Sequence, residues 1–260
     1  MGPNKKKVRI RGVEIGGNQP LICTPLIGKD ISELIEECNK IMPKNPDIIE
    51  WRADFFNALD DTREVIRAGQ RIRDLCADVP ILFTIRSVRE GGQAIALSEN
   101  EKIGLITEVC RTKLIDLVDY ELVNESEDIN QIHQAAQSAE VYLILSYHNF
   151  DKTPDLRFIV DKLHQAERQG ADIAKVAVMP NTKEDVLTLM TATQEANKEM
   201  SIPMITISMG ELGVISRIAG WMFGSDFTFA VGNESSAPGQ VPIEDLRLAI
   251  QSLRKVSGNS

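Results

Sequence analysis

Short apolar runs recur along this chain at intervals of roughly 30 residues, and a longer amphipathic stretch follows each one. Runs this short and this apolar are typical of strands buried in a parallel sheet. In the stretches between them, apolar residues at i, i+3 and i+4 spacing are typical of helices that bury one face. The apolar runs are Leu21–Thr24, Ile48–Trp51, Ile81–Ile85, Leu117–Glu121, Val141–Ser146, Ile173–Val178, Met204–Ser208 and Phe227–Ala230. This eightfold alternation predicts an α/β protein of the (β/α)8 TIM-barrel class.

An open, doubly wound sheet is the alternative arrangement of alternating strands and helices. It predicts a glycine-rich turn after the first strand, and the segment Thr-Pro-Leu-Ile-Gly-Lys at residues 24–29 is not such a turn. The length of 260 residues also suits one barrel, and neither a linker nor a shift in composition divides the chain. We therefore expect one barrel domain over residues 1–260.

Smaller features mark the ends of the predicted elements. Within about the first 18 residues, Val8–Ile10 and Val13–Ile15, with Gly12 between them, predict a β-hairpin. Side chains able to accept a hydrogen bond from a helix N-terminus predict helix starts at Asp30 or Ser32, Ser98, Thr153 and Thr182.

The composition excludes several classes of function. A formal net charge of −9 argues against a protein that binds nucleic acid with its whole surface. The four cysteines (Cys23, Cys38, Cys76 and Cys110) form no Cys-x-x-Cys pair and no histidine cluster accompanies them, so we expect reduced thiols and no zinc site. No run is long and apolar enough to span a membrane, and no signal peptide is visible. These features predict a cytoplasmic protein with no metal and no membrane partner.

Lys175 interrupts the sixth apolar run, where a charge is least expected. Strand alternation places Ile173, Lys175 and Ala177 on one face. An ammonium inside a buried strand is costly unless it is paired, neutralised or used in chemistry. The lysine is therefore either an amine that attacks a carbonyl, or a structural lysine that reaches water or pairs with an acid. This segment alone leaves both possibilities open.

Polar residues cluster where the predicted strands end, and in a barrel the chemistry takes place at the carboxyl ends of the strands. These residues are Glu50, Arg52 and Asp54 after strand two, Arg86 and Glu90 after strand three, His148 after strand five, Arg217 after strand seven, and Ser236 and Gln240 after strand eight. His148 is either a general acid and base or a loop residue that binds backbone groups. Beside a strand-six lysine, catalysis is the better interpretation.

Two other features of this group have alternative interpretations. Arg217 can receive a carboxylate in a bidentate fork, or it can be an ordinary surface arginine on a helix. The segment at about residues 231–242 is rich in Gly, Ser and Pro, and is either a mobile connector or a lid that closes over a substrate.

Six motifs among these residues resemble, in order, those of the type I 3-dehydroquinate dehydratases. The resemblance covers the chain from Leu21 to the last helix. Met209 stands where a methionine lines the pocket in that family. Ile207 stands where a second methionine would also fit. The motifs are Glu-Trp-Arg-Ala-Asp at 50–54, Thr-Ile-Arg at 84–86, Ser-Tyr-His-Asn-Phe at 146–150, Ala-Asp-Ile-Ala-Lys at 171–175, Gly-Val-Ile-Ser-Arg at 213–217 and Ser-Ala-Pro-Gly-Gln at 236–240.

The resemblance implies a shikimate-pathway enzyme that dehydrates 3-dehydroquinate to 3-dehydroshikimate without a metal or a cofactor. It implies that Lys175 forms a Schiff base with the substrate ketone, that His148 moves the protons and that Glu90 orients His148. It also implies that Arg217 binds the substrate carboxylate. The remaining implied substrate-binding residues are Glu50, Arg52, Arg86, Ser236 and Gln240. The hairpin is implied to cap the bottom of the barrel, and the assembly to be a homodimer.

Two other functions fit a barrel with such a lysine. A lysine-dependent aldolase for phosphorylated sugars predicts a phosphate site made of backbone amides in glycine-rich loops after strands seven and eight. Those loops instead carry Arg217, Ser236 and Gln240, which suit a carboxylate and hydroxyls. A barrel that binds a metabolite without catalysis is disfavoured because both Lys175 and His148 are present.

Overall fold

Parallel strands and helices alternate along the chain in the computed structural model, which describes residues 5–17, 19–234 and 236–256. The strands are β1 (Val8–Ile10), β2 (Val13–Ile15), β3 (Leu21–Leu26), β4 (Ile48–Arg52), β5 (Ile81–Thr84), β6 (Leu117–Glu121), β7 (Tyr142–Asn149), β8 (Ile173–Val178), β9 (Met204–Ser208), β10 (Phe227–Val231) and β11 (Val241–Pro242). The α-helices are α1 (Ile31–Ile41), α2 (Thr62–Cys76), α3 (Glu99–Arg111), α4 (Ser126–Ala139), α5 (Leu156–Arg168), α6 (Lys183–Glu199), α7 (Val214–Ala219) and α8 (Ile243–Val256). Residues 1–4 and 18 of the predicted hairpin segment, and residue 235 of the predicted lid, lie outside the described ranges.

The strands form one curled parallel sheet in the order β11-β10-β3-β4-β5-β6-β7-β8-β9. Its two ends meet at Asp226, whose backbone N–H donates to the Met204 carbonyl at 2.7 Å while its carboxylate accepts from the Met204 N–H at 2.7 Å. Strands β3 to β10 are therefore the eight strands of a barrel. The predicted (β/α)8 TIM-barrel class is confirmed.

The elements begin and end close to the predicted positions, with two instructive differences. Strand β7 continues to Asn149 because its last residues pair with β8, His148 opposite Ala177 and Asn149 opposite Val178. The prediction that Thr153 starts α5 is wrong, because Asp155 accepts the Phe158 N–H at 3.0 Å. Of the other predicted helix starts, Asp30, Ser98 and Thr182 are confirmed as N-caps.

The barrel interior is apolar at its lower end, where the strands begin. Each barrel strand contributes a buried side chain there: Leu21, Ile48, Leu82, Leu117, Ile144, Ile173, Ile205 and Phe227. The hairpin of β1 and β2 adds Val8, Ile10 and Ile15 to the same cluster. The hairpin therefore completes the core of the barrel from below, as the resemblance implied.

A ring of four aspartates holds this lower end together, one before every second barrel strand. Each carboxylate accepts the backbone N–H at the start of a preceding strand, at 2.7 to 3.0 Å. The aspartates are Asp47, Asp116, Asp172 and Asp226. Three cations of the hairpin segment pair with this ring: Lys5 with Asp226 at 3.8 Å, Lys6 with Asp172 at 2.7 Å and Arg11 with Asp116 at 2.7 Å.

Among the described residues, no helix is long and apolar enough to cross a membrane.

Candidate active site

A cavity opens at the opposite end of the barrel, where the strands end. All nine residues that the sequence proposed as site residues line it: Glu50, Arg52, Arg86, Glu90, His148, Lys175, Arg217, Ser236 and Gln240. Its apolar wall includes Met209, Ile207, Phe150 and Phe229, so both positions named for the pocket wall in the sequence face the cavity. The strand-end pattern thus located the cavity, and the contacts below constrain what each side chain does.

Lys175 lies inside the barrel on β8, between Ser146 of β7 and Ile205 of β9. Its side chain is only 5% exposed, so it does not reach bulk water. The ammonium donates to Asp119 Oδ2 at 2.9 Å and lies 4.6 Å from the centroid of the Phe229 ring. The lysine is therefore both paired with an acid and presented to the cavity, so the two interpretations of its position are compatible.

Asp119 on β6 is the partner that the sequence analysis missed. It breaks the apolar run of β6 as Lys175 breaks that of β8, and strand alternation puts it on the inward face with Leu117. Besides Lys175, it accepts from Ser146 Oγ at 2.6 Å and Arg86 Nη2 at 2.7 Å. Burial by itself raises the pKa of this carboxyl, but the charges of Arg86 and Lys175 outweigh burial and lower the pKa to about 2. Asp119 is ionised at neutral pH.

His148 and Glu90 form a directed pair at the cavity wall. Glu90 Oε2 accepts the His148 backbone N–H at 3.1 Å and lies 2.7 Å from His148 Nδ1. Because Oε2 already acts as an acceptor, we assign the ring proton to Nδ1, which leaves Nε2 with its lone pair. Burial and the nearby cations, Arg86 first, hold the pKa of His148 well below 6.5. The imidazole is thus neutral and suited to take up a proton.

The Glu90 carboxyl has two unlike oxygens. Oε2 is the hydrogen-bond acceptor for His148, whereas Oε1 is buried without a hydrogen-bond partner among the described residues. Burial raises the pKa of Glu90 to about 8, against the opposing charge of Arg86, whose Nη1 lies 3.6 Å from Oε2. A proton on Oε1 fits both observations, since Oε2 then remains the carbonyl-type oxygen that receives the imidazole N–H.

Arg86 contacts several buried acidic and polar side chains at once. Its guanidinium contacts Asp119 at 2.7 Å, Ser146 Oγ at 2.8 Å and Glu121 at 3.3 Å. Burial disfavours the charged form, but Asp119 and Glu121 outweigh it and raise the pKa above the usual arginine value. Most of its donors are therefore engaged by protein groups. Arg86 lines the cavity chiefly as the residue that holds these two acids in place and lowers the pKa of Asp119.

Glu50 and Arg52 occupy the end of β4. Glu50 accepts from Thr84 Oγ1 at 3.0 Å, across the neighbouring strand β5. Asp54 receives Arg52 in a two-pronged contact at 2.8 and 2.9 Å, so it orients the guanidinium rather than facing a substrate. A further Arg52 nitrogen donates to the Ser236 carbonyl at 3.4 Å, which links this strand end to the segment after β10.

Arg217 is a buried cation, and none of the described residues supplies an anion to pair with it. It lies on α7 with 2% of its surface exposed, so the surface-arginine interpretation is wrong. Its donors reach only carbonyls, Phe229 at 3.3 Å and Pro238 at 2.9 Å, and Nε has no partner among the described residues. Burial lowers the pKa of Arg217 to about 10, so it stays charged at neutral pH. A ligand carboxylate would supply the missing charge.

The segment between β10 and β11, described for residues 232–234 and 236–240, covers the cavity. Within it, Gln240 Oε1 accepts the Ser236 N–H at 3.1 Å and Gln240 Nε2 donates to Ser236 Oγ at 3.2 Å. The Pro238 carbonyl accepts from the Gly210 N–H at 3.2 Å, which holds the segment against the loop after β9. Gly239 has a φ of 74°, and a Cβ there would overlap the Gly210 carbonyl, so only glycine permits this approach.

Among the described residues, no group of three or more His, Cys, Asp or Glu side chains could hold a metal ion. The arrangement instead places a buried amine, a neutral imidazole and an unmatched guanidinium around one cavity. Such a set can form an imine with a ketone, move a proton beside it and bind a carboxylate.

Comparison with known proteins agrees with this chemistry. A family model described as type I 3-dehydroquinase matches residues 22–257. The chain is 51% identical over 255 residues to a 3-dehydroquinate dehydratase of Geobacillus sp. (strain WCH70), with 98% of each chain covered. The crystal structure of 3-dehydroquinate dehydratase from Geobacillus kaustophilus HTA426 superposes with a TM-score of 0.96 at 49% identity, covering 99% of this chain and 100% of that one. A type I 3-dehydroquinate dehydratase from Clostridium difficile, solved with covalent modified comenic acid, gives 0.93 at 40% identity, covering 97% and 99%.

Proposed function

The chain belongs to the type I 3-dehydroquinase family, and from that membership we propose that it eliminates water from 3-dehydroquinate through an imine on Lys175. The product is 3-dehydroshikimate, and the enzyme is a hydro-lyase of the shikimate pathway of aromatic amino acid biosynthesis. One observation supports the proposal most strongly. The buried amine of Lys175, the neutral ring of His148 and the unmatched guanidinium of Arg217 line the same cavity.

Lys175 is the proposed nucleophile. Its amine attacks the substrate ketone, and loss of the ketone oxygen as water leaves a positively charged imine. That charge withdraws electrons from the neighbouring carbon and acidifies its C–H bond. The small Ala177, two residues along the same strand face, leaves space for the attached substrate.

His148 is the proposed acid and base. With its proton on Nδ1, it takes the acidified carbon-bound proton through Nε2 and returns a proton to the hydroxyl that departs as water. Glu90 orients the ring through the 2.7 Å contact at Nδ1. The neutral state of His148 favours uptake of the proton, and the neighbouring cations that keep it neutral also favour its later release.

The remaining predicted residues bind the substrate. Arg217 receives the substrate carboxylate, which matches its missing counter-ion. We propose that residues 231–242 are a lid, since Arg217 and Arg52 both donate to carbonyls of this segment. The residues that bind hydroxyls or hold the lid closed are Glu50, Arg52, Arg86, Ser236 and Gln240. For Arg86, the contacts with Asp119 and Glu121 favour a role in positioning these acids.

The test is chemical trapping. The protein is incubated with 3-dehydroquinate, reduced with borohydride and digested, and the mass adduct is mapped. We expect the adduct on Lys175 and, without reductant, the absorbance of 3-dehydroshikimate. Lys175→Met should abolish both. The matched control Lys162→Met, on the outer helix α5, should change neither.

A companion variant separates imine formation from proton transfer. His148→Ala should lower turnover by about 100-fold or more, since general acid–base catalysis contributes on that scale, while an adduct still forms. The absence of both adduct and dehydroshikimate in the unaltered protein would refute the proposed function. Unchanged turnover in His148→Ala would remove the histidine from the mechanism.

We propose three further features. We place the protein in the cytoplasm, in agreement with four buried free cysteines. We take residues 1–260 as one domain, because the hairpin shares the barrel core. We expect a homodimer as in the family, with the exposed Leu212, Ile215 and Leu248 on or beside α7 and α8 as the apolar surface it would cover. Sedimentation velocity measures that assembly directly.

A further inference from the structure

One acid in the described structure contacts the reactive nitrogen, and the proposed roles above leave it without a task. We infer that Asp119 is the counter-ion of the Lys175 nitrogen, which aims the amine at the ketone and then stabilises the positively charged imine. This inference rests on the proposed function and adds a residue to it. It concerns charge and position, because Asp119 is not the group that moves protons.

The contacts of Asp119 hold its carboxylate in one orientation. Oδ1 accepts from Ser146 Oγ at 2.6 Å and lies 2.7 Å from Arg86 Nη2. These two donors leave Oδ2 directed at the Lys175 nitrogen, 2.9 Å away. The side chain of Asp119 is wholly buried, so water does not compete for either oxygen.

The reactive nitrogen is also confined from a second direction. The Phe229 ring lies 4.6 Å from Nζ, close enough for a cation–π contact. A carboxylate and an aromatic ring therefore hold the end of an otherwise flexible side chain. Such restraint places a nucleophile in the geometry for attack before the substrate arrives.

The charge at this nitrogen is the same before and after imine formation. The ammonium and the ketone become the protonated imine and one water molecule, and the positive charge stays on nitrogen. In between, the ammonium must lend one proton so that its lone pair can attack, and the carbinolamine regains it as the oxygen leaves. A fixed anion beside the nitrogen therefore stabilises both end states. It also stabilises the positive charge that develops again on nitrogen as the neutral amine attacks, and it needs no rearrangement to do so.

Asp119 is a poor acceptor for the lent proton, because Arg86 and Lys175 keep its carboxyl ionised. His148 lines the same cavity and is neutral, so it is the better acceptor. When the C–H proton leaves, the imine becomes a neutral enamine and its hold on Asp119 weakens. Arg86 and Ser146 then remain as partners, so the carboxylate is never left unpaired in the protein interior.

Asp119 and His148 thus have different roles, and variants of the two residues should give different results. Asp119→Asn keeps the shape but removes the charge, so imine formation at saturating 3-dehydroquinate should slow by about 100-fold, the effect of removing one preorganised electrostatic partner. Borohydride-trapped adduct should fall together with turnover. His148→Ala should instead slow turnover far more than adduct formation, so that the adduct trapped per turnover rises. The measurement is the amount of adduct trapped per turnover in a rapid-quench time course.

Controls separate this role from a structural one. Asp226→Asn changes a buried carboxylate at the opposite end of the barrel and should leave adduct formation unchanged. Asp119→Asn should still be protected from heat by quinate, which carries a hydroxyl in place of the ketone and forms no imine. That result would show that the cavity remains intact.

The outcomes are separable. If the unaltered protein yields no adduct, the proposed function fails; if it yields adduct and Asp119→Asn yields it equally fast, this inference alone fails. Should Asp119→Asn not fold, Ser146→Ala serves, because it removes one donor from Oδ1 and keeps the carboxylate. It should slow adduct formation by about tenfold, as expected for one hydrogen bond to a charged group, and an unchanged rate would overturn the inference.

Discussion

At the scale of single residues, the charged side chains of this active site differ in whether an oppositely charged group pairs with them. Lys175, Arg86 and His148 each have an acid within 3 Å, whereas Arg217 has only carbonyl partners among the described residues. A buried guanidinium without an anion destabilises the empty protein, and a bound carboxylate removes this cost. Arg217 is therefore well suited to recognise the substrate carboxylate.

The prediction at this scale concerns the shape of that recognition. Arg217→Lys keeps the positive charge but loses the planar fork that meets both carboxylate oxygens. We expect KM for 3-dehydroquinate to rise by about tenfold or more, while kcat falls less, since one charge-assisted hydrogen bond contributes about 1.5 to 3 kcal/mol. Steady-state kinetics measures the two separately. Arg247→Lys, beside Asp47 at the bottom of the barrel, is the matched control and should leave KM unchanged; an unchanged KM in Arg217→Lys would argue against carboxylate binding.

At the scale of elements, the strands present the chemistry and the segment after β10 covers it. Strand β7 is long enough to carry His148 as a ladder residue opposite Ala177, so its backbone is fixed by β8 rather than by a loop. Lys175 is held in the same ladder. The covering segment instead depends on single contacts, chiefly those of Pro238 with Arg217 and Gly210.

Gly239→Ala tests the covering segment. The added methyl group would meet the Gly210 carbonyl at a positive φ, a strain of about 1 to 3 kcal/mol that the closed segment would have to bear. KM should rise by about tenfold, with little change in Tm, because the barrel does not depend on this contact. Gly12→Ala in the hairpin is the control: its φ is also positive, at 85°, but open space surrounds it. A KM equal to that of the unaltered protein would show that the segment is not a lid.

At the scale of the whole molecule, Asp226 is one of the residues that close the barrel. It joins the segment before β10 to the start of β9, next to the contacts of Ser225 with Thr206, and it also receives Lys5 of the hairpin segment. Burial raises the pKa of Asp226 from 3.8 to about 6, and the Lys5 charge only partly opposes this. Closure of the fold therefore depends on a group that titrates in mildly acidic solution.

The pH dependence of stability follows from this shift. An aspartate whose pKa is raised on folding binds its proton more tightly in the native state. Its contribution to the free energy of unfolding is therefore greatest below 3.8 and declines as the pH rises through about 6. A shift of this size corresponds to about 3 kcal/mol at most. Urea unfolding at pH 4 and pH 6 should show a smaller loss of stability on going to pH 6 in Asp226→Asn than in the unaltered protein.

The ring offers a matched comparison for that measurement. Asp172 has the same place before its strand but is paired with Lys6 at 2.7 Å and is more exposed. Asp172→Asn therefore serves as the control for the effect of replacing a ring aspartate by asparagine. Equal pH profiles for Asp226→Asn and the unaltered protein would assign the closure to other contacts.

Sequence reasoning succeeded where a pattern is local and failed where a partner is distant. The interrupted run around Lys175 was visible in six consecutive residues, and the helix caps at Ser98 and Thr182 needed only four. The N-cap of α5 was predicted at Thr153, but Asp155 is the residue that caps it. The prediction failed because two possible acceptors lie within three residues and local sequence does not rank them. Asp119 was missed although it interrupts its strand in the same way, because its part in the site is visible only in its contacts with Lys175 and Arg86, which are distant in sequence.

The order of strands and helices, and the face on which Lys175 lies, were determined by the sequence alone, because apolar periodicity is a property of consecutive residues. Only the tertiary structure decided which acid meets that lysine. Asp119 and Lys175 are 56 residues apart in sequence, and they approach because β6 and β8 lie on either side of β7 and both side chains point into the barrel beside Ser146. Folding then shifted the pKa values of the site. Burial raises the pKa of Glu90 and lowers those of His148 and Arg217, whereas the charges of Arg86 and Lys175 lower that of Asp119.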